Sequence, residues 1–222
     1  MVTPFPVLPR TERLALRRLC ARDADLATIE PAAGPLPWRT RPTGFTGLLS
    51  AITAQQISNA AAAAIWRRIE ALPGALDPVI FLRIPDEVLR TAGFSRQKIV
   101  YGRLLAEAFA DGRLSAERLD TMTDEEAVAA ISAIKGLGRW TAEVYLLFAH
   151  GRRDVFPAAD LVLAAAAADI KRLDARPSPK ALLAMADTWR PWRGLAARLL
   201  WHHWRAITNR PSFDDMQPPA AR

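Results

Sequence analysis

Apolar residues recur at three- and four-residue intervals from Glu12 almost to Arg205, while the alternation of a half-buried strand is nearly absent. This pattern predicts an all-α protein, with helices over residues 12–20, 23–30, 44–54, 58–71, 86–92, 95–111, 124–134, 139–149, 161–170, 179–186 and 194–207. The breaks carry turn chemistry. Residues 31–42 are rich in Pro and Gly, Pro73 and Gly74 close a helix, Ser95 is placed to cap the next, and Arg176-Pro177-Ser178-Pro179 opens another. Residues 209–222 hold prolines and few apolar positions and read as a flexible tail. The alanines at 164–168 form a close-packing helix face, and no repeat with a solenoid period is visible.

Composition narrows the class. A chain of 222 residues can bury a sizeable core. No apolar stretch approaches the roughly 20 residues of a membrane span, and the N-terminus lacks the pattern of a signal peptide, so a cytoplasmic protein is expected. Cys20 is the only cysteine. That excludes an internal disulfide, a four-cysteine zinc site and a four-cysteine iron–sulfur cluster. Lys and Arg number 30 against 23 Asp and Glu, a net charge of +7, and the sequence pI is near 10.4. Nucleic acid is the leading partner on that ground, but an Ala- and Arg-rich composition also arises from genome bias, and motifs must decide.

The most informative segment is 131–149, ISAIKGLGRWTAEVYLLFA. Two helices are joined through Lys135, Gly136, Leu137 and Gly138, with Arg139 opening the second. Paired glycines permit positive φ and leave backbone N–H groups open to a phosphate oxygen, with Leu137 pointing inward to pin the helices. A tight helix–helix turn can need glycine for steric reasons alone. Downstream, Asp160 follows the small-residue turn Pro157-Ala158-Ala159 and starts a helix. It can serve as an N-cap or as an anion held ionised by the helix N-terminus. Asp154 reads as a turn or cap residue. Arg96, Lys98, Lys135 and Arg139 are candidate phosphate contacts or solvated charges. His202 and His203 are adjacent on a helix and diverge by about 100°, which argues against a metal site.

The stretch GLGRWTAEVYLLFAHGRRDVFPAAD resembles the helix-hairpin-helix (HhH-GPD) DNA glycosylase superfamily. GFTGLLSAITAQQIS at 44–58 is similar to the segment leading into its DNA-intercalating loop, and AGFSRQKIVYGRLLAEAF at 92–109 to the helix preceding the hairpin. TWRPWRGLAARLLWHHW at 188–204 resembles the C-terminal helix of the AlkA-like 3-methyladenine DNA glycosylase II branch. The resemblance implies the compact form, without the N-terminal α/β domain of larger members. It implies a single two-lobed helical domain over 1–208, with one lobe over 52–149 and the other over 11–51 plus 150–208. Asp160 is then the catalytic residue, and Trp140, Trp201 and Tyr145 line an aromatic base pocket. Lys135 to Arg139 form the DNA-binding hairpin, and Gln55, Gln56 and Ile57 the intercalating loop, with the wedge residue open among them. Trp140 stands where lyase-active members carry a Schiff-base lysine, which implies a monofunctional enzyme. The expected activity is removal of alkylated purines from double-stranded DNA by a monomer in base excision repair. No cofactor is expected beyond room for a structural monovalent cation at the hairpin. A non-catalytic DNA-binding protein is the rival reading. An endonuclease III-type glycosylase/lyase is disfavoured by Trp140 and the missing cysteines.

Overall fold

A computed structural model describes residues 8–209, and these contain helices and turns without a β-strand. In chain order the helices are α1 (Arg10–Arg22), α2 (Ala24–Ala27), α3 (Ile29–Ala33), α4 (Gly44–Ala54), α5 (Asn59–Glu70), α6 (Pro78–Phe81) and α7 (Asp86–Ala92). There follow α8 (Arg96–Ala110), α9 (Ala116–Thr121), α10 (Asp124–Ser132), α11 (Arg139–Ala149), α12 (Leu161–Ile170), α13 (Pro179–Ala186) and α14 (Arg193–Thr208). The expected tail, apart from Asn209, lies outside the described residues.

Local chemistry accounts for most of these boundaries. Ser95 accepts from Lys98 N at the start of α8, and Thr123 with Glu126 forms a reciprocal capping box on α10. The predicted helix at 23–30 is instead two short helices, α2 and α3, and Pro31 lies inside α3 rather than ending it. Proline is tolerated there because first-turn N–H groups have no intrahelical acceptor. Helices α6 and α9 were too short to give a periodic signal. Asp77 nevertheless starts α6 by accepting from Val79 N and Ile80 N at 2.8 and 2.9 Å.

The described residues form two compact units, one from Arg41 to His150 and the other from residues 8–40 together with 151–209. Residues 41–51, expected in the other lobe, therefore belong with the hairpin. The reason is packing: Phe45, Leu48, Leu49 and Ile52 of α4 are buried, and Phe45 meets Phe81 and Phe109 edge-on at 5.5 and 5.9 Å. Each such buried side chain contributes about 1.5–3 kcal/mol.

The second unit is organised around Asp23. This buried carboxylate caps α2 through Asp25 N and Leu26 N and accepts from Lys171 Nζ at 2.6 and 2.7 Å and from Trp189 Nε1 at 2.7 Å. Burial opposes its ionisation, but the Lys171 and Trp189 hydrogen bonds outweigh it and hold the carboxyl below the usual range. Helices α1 and α2, the end of α12 and the turn before α14 are joined at this point.

Candidate active site and nucleic-acid interface

Asp160 is the N-cap of α12, and its backbone N–H closes the preceding turn on Pro157 O at 2.9 Å. Its Oδ1 accepts from Val162 N and Leu163 N, both at 2.8 Å, and from Trp201 Nε1 of α14 at 3.3 Å. The residue caps the helix, and the capping bonds hold its carboxyl group in one place. The side chain is only 8% exposed. Immediately after it, Leu161 is 75% and Val162 38% exposed, so a buried carboxyl group adjoins an uncovered apolar surface. An ionised group fixed this way by charge-assisted hydrogen bonds and the helix N-terminus can stabilise a cation that develops beside it.

Within the other unit, the hairpin turn lies between α10 and α11. Leu137 is buried, as the turn requires, and donates its N–H to Ile134 O. The two glycines answer different needs. Gly136 has φ +99°, and a Cβ there would lie 2.3 Å from the Tyr101 ring. Gly138 has ordinary φ and would meet nothing within 4 Å, so the protein itself imposes no steric need for glycine there. Open space over the N-terminus of α11 suits an external backbone that approaches the N–H groups closely. Lys135 is exposed at this edge. Arg139 is held by Glu125 at 2.7 Å and Glu143 at 2.8 Å, so it is an ion-paired residue rather than a free phosphate contact. Trp140 is 46% exposed.

The loop after α4 departs from expectation. Gln55 does not project outward. Its Nε2 donates to Gly136 O at 2.8 Å and ties the loop to the hairpin. Gln56 and Ile57 are exposed, and Gln56 has a left-handed φ of +57°. Lys98, expected as a phosphate contact, is buried instead and donates to Thr53 O at 2.7 Å; burial pushes its ammonium pKa down.

Tyr145, expected at an aromatic base pocket, is buried and its hydroxyl is taken by the backbone. It is 2% exposed, and its hydroxyl accepts from Gly44 N at 2.7 Å and lies 3.2 Å from His150 Nε2. Burial drives its pKa well up, so the phenol stays protonated. Asp154 accepts from Arg193 N at the start of α14 and pairs with Arg190 and Arg193. His202 faces Gly34 O and His203 faces Asp169, on different partners. Cys20 is half-buried, and burial raises its thiol pKa.

The sequence reading did not anticipate Tyr101, Lys98 and Gln55 as supports of the loop and hairpin. The one available signal was that Lys98 and Tyr101 share a face of α8 at i, i+3.

The family model described as HhH-GPD superfamily base excision DNA repair protein matches residues 49–193, a span covering the loop, the hairpin and Asp160. The chain belongs to the HhH-GPD superfamily. Among relatives in this superfamily, DNA-3-methyladenine glycosylase 1 of Schizosaccharomyces pombe is 34% identical over 161 residues, 71% of each chain. A solved DNA-3-methyladenine glycosidase from Bacillus halodurans superposes with a TM-score of 0.76 at 31% identity, covering 88% of this chain and 96% of that one. The S. pombe 3-methyladenine DNA glycosylase Mag1, solved with abasic DNA, has a TM-score of 0.76 at 29% identity, covering 86% and 95%. The all-α HhH-GPD fold expected of the sequence is thereby shown.

Proposed function

We propose that this chain is a monofunctional DNA glycosylase of base excision repair, which extrudes an alkylated purine from duplex DNA and hydrolyses its N-glycosidic bond. The observation that carries the reading is Asp160, a buried carboxylate fixed through Oδ1 by two backbone N–H groups and the Trp201 indole. In the proposed reaction the bond from C1′ to the purine breaks, and its electron pair leaves with a base already activated by its alkyl group. Positive charge develops on the sugar, where the Asp160 carboxylate stabilises it. Water adds at C1′ and loses a proton to Asp160 or to solvent, leaving an abasic site.

The remaining residues take supporting roles. Half-buried Trp201, which donates to Asp160, presents its indole beside that carboxylate to a base made cationic by alkylation. Gly138 and Lys135 receive a phosphate at the hairpin, and Gln56 and Ile57 enter the stack as the base leaves it. The protein acts as a monomer. A monovalent cation at the turn would be held by carbonyl oxygens. Ile134 O and Gly136 O there already accept hydrogen bonds, and no chemical step runs through such an ion. Among the described residues no helix is long and apolar enough to cross a membrane.

The test is incubation with methylated duplex DNA. Free 3-methyladenine and 7-methylguanine should appear by chromatography, strands should stay intact until hot alkali is added, and borohydride should trap no protein–DNA adduct. Absence of released base would defeat the glycosylase reading, and a trapped adduct would defeat the monofunctional one.

A further inference from the structure

Three contacts within the Arg41–His150 unit brace the loop after α4 against the hairpin turn. Gln55 Nε2 donates to Gly136 O at 2.8 Å. Lys98 Nζ, on α8, donates to Thr53 O at 2.7 Å, just before the loop. Tyr101, on the same face of α8, lays its ring so close to Gly136 that no Cβ could be placed there, and Gln97 Nε2 holds its hydroxyl at 2.6 Å. One helix thus supports both structures from beneath, and Gln55 joins them to each other. Gln56 and Ile57 stand outside this bracing, exposed, with Gln56 held in the left-handed region.

We propose that Gln55 is a positioning residue: it couples anchoring of a phosphate at the hairpin to insertion of the 56–57 loop into the base stack. The inference rests on the glycosylase reading. A phosphate bound at the turn fixes the Gly136 peptide, the Gly136 carbonyl fixes the Gln55 amide, and the amide sets the depth of the two residues that follow. Without this bond the hairpin keeps its shape, because Tyr101 still backs Gly136, but the loop can recoil when it meets stacked bases. Gln55 touches neither base nor sugar in this scheme, so its loss should impair extrusion and leave anchoring intact.

The deciding variant is Gln55→Met, which keeps the length and removes the donor. Gln55→Glu replaces the donor with an acceptor and serves if Gln55→Met does not melt cooperatively. Three readouts separate the roles: affinity for undamaged duplex, fluorescence of 2-aminopurine beside a lesion, and single-turnover release of 7-methylguanine at saturating protein. The expected result is affinity within about twofold of wild type, a smaller fluorescence rise, and a release rate about tenfold lower, the scale of one hydrogen bond. Unchanged fluorescence and rate, or a defect confined to affinity, would overturn the coupling. A wild-type protein that releases no methylated base sinks the glycosylase reading instead, and the fluorescence comparison still decides the role of Gln55.

Discussion

Trp201 donates its indole N–H to Asp160 Oδ1 at 3.3 Å, onto the same oxygen that receives Val162 N and Leu163 N at 2.8 Å. A helix cap and a side chain from a distant helix thus converge on one carboxylate atom.

That convergence makes Asp160→Asn the discriminating substitution for the proposed chemistry. Asn caps a helix about as well as Asp but carries no charge to stabilise an oxocarbenium ion. The variant should melt close to wild type, bind abasic-site DNA with equal or better affinity, and lose base release by at least ~10²-fold. Asp154→Asn, which alters only the ion-paired start of α14, should leave excision nearly unchanged. Single-turnover rates for both decide whether Asp160 is more than a cap.

The two hairpin glycines should fail in different ways. Gly138→Asp adds a side chain in open space at ordinary φ. It should preserve the melting temperature while weakening binding to every DNA sequence alike, through a like charge where phosphate must approach. Gly136→Asp meets the Tyr101 ring at φ +99° and should destabilise the fold itself. Melting curves read beside duplex affinities distinguish them. Wild-type affinity in a well-folded Gly138→Asp protein would remove the phosphate role.

Two neighbouring cations should contribute unequally to binding. Arg139 already holds Glu125 and Glu143, whereas Lys135 is exposed. Lys135→Ala should reduce the slope of log affinity against log salt by about 1, and Arg139→Ala should reduce it less. Titration at several salt concentrations gives both slopes, and equal slopes would show that the ion pairs open on binding.

Stability should depend on the Asp23 cluster. Its carboxyl pKa is lowered in the fold, so its contribution is present above the unfolded value of about 3.9 and is lost as pH falls through the folded one. The Lys171 pKa is raised despite burial, through Asp23 and Asp25, so its contribution is lost only at strongly alkaline pH. Asp23→Ala leaves the ammonium without its closest partner and the Trp189 indole without an acceptor. About 3 kcal/mol of destabilisation at neutral pH is expected, measured by urea unfolding. The acid limb of the pH–stability curve should also flatten.

Features encoded within a few residues were legible from the chain alone. The periodicity of α4, α5, α8 and α14, the cap at Ser95, the Gly-Leu-Gly turn with Leu137 inward, and Asp160 at the head of α12 all follow from local stiffness, capping and helical spacing. These preferences act over one or two turns and need no knowledge of what lies opposite. The boundary of α4 was readable in this way, but its lobe was not.

Tertiary structure decided which polar groups remain available. Gln55 and Tyr145 looked like ligand-facing residues and Lys98 like a phosphate contact, yet their partners are Gly136 O, Gly44 N and Thr53 O. Those partners are distant in sequence, and no local pattern announces them. A buried donor or acceptor must be satisfied by whatever the fold brings to it. The same sequence pattern therefore yields an exposed Gln56 and a committed Gln55, and only the packing of α4, α8 and the hairpin separates them.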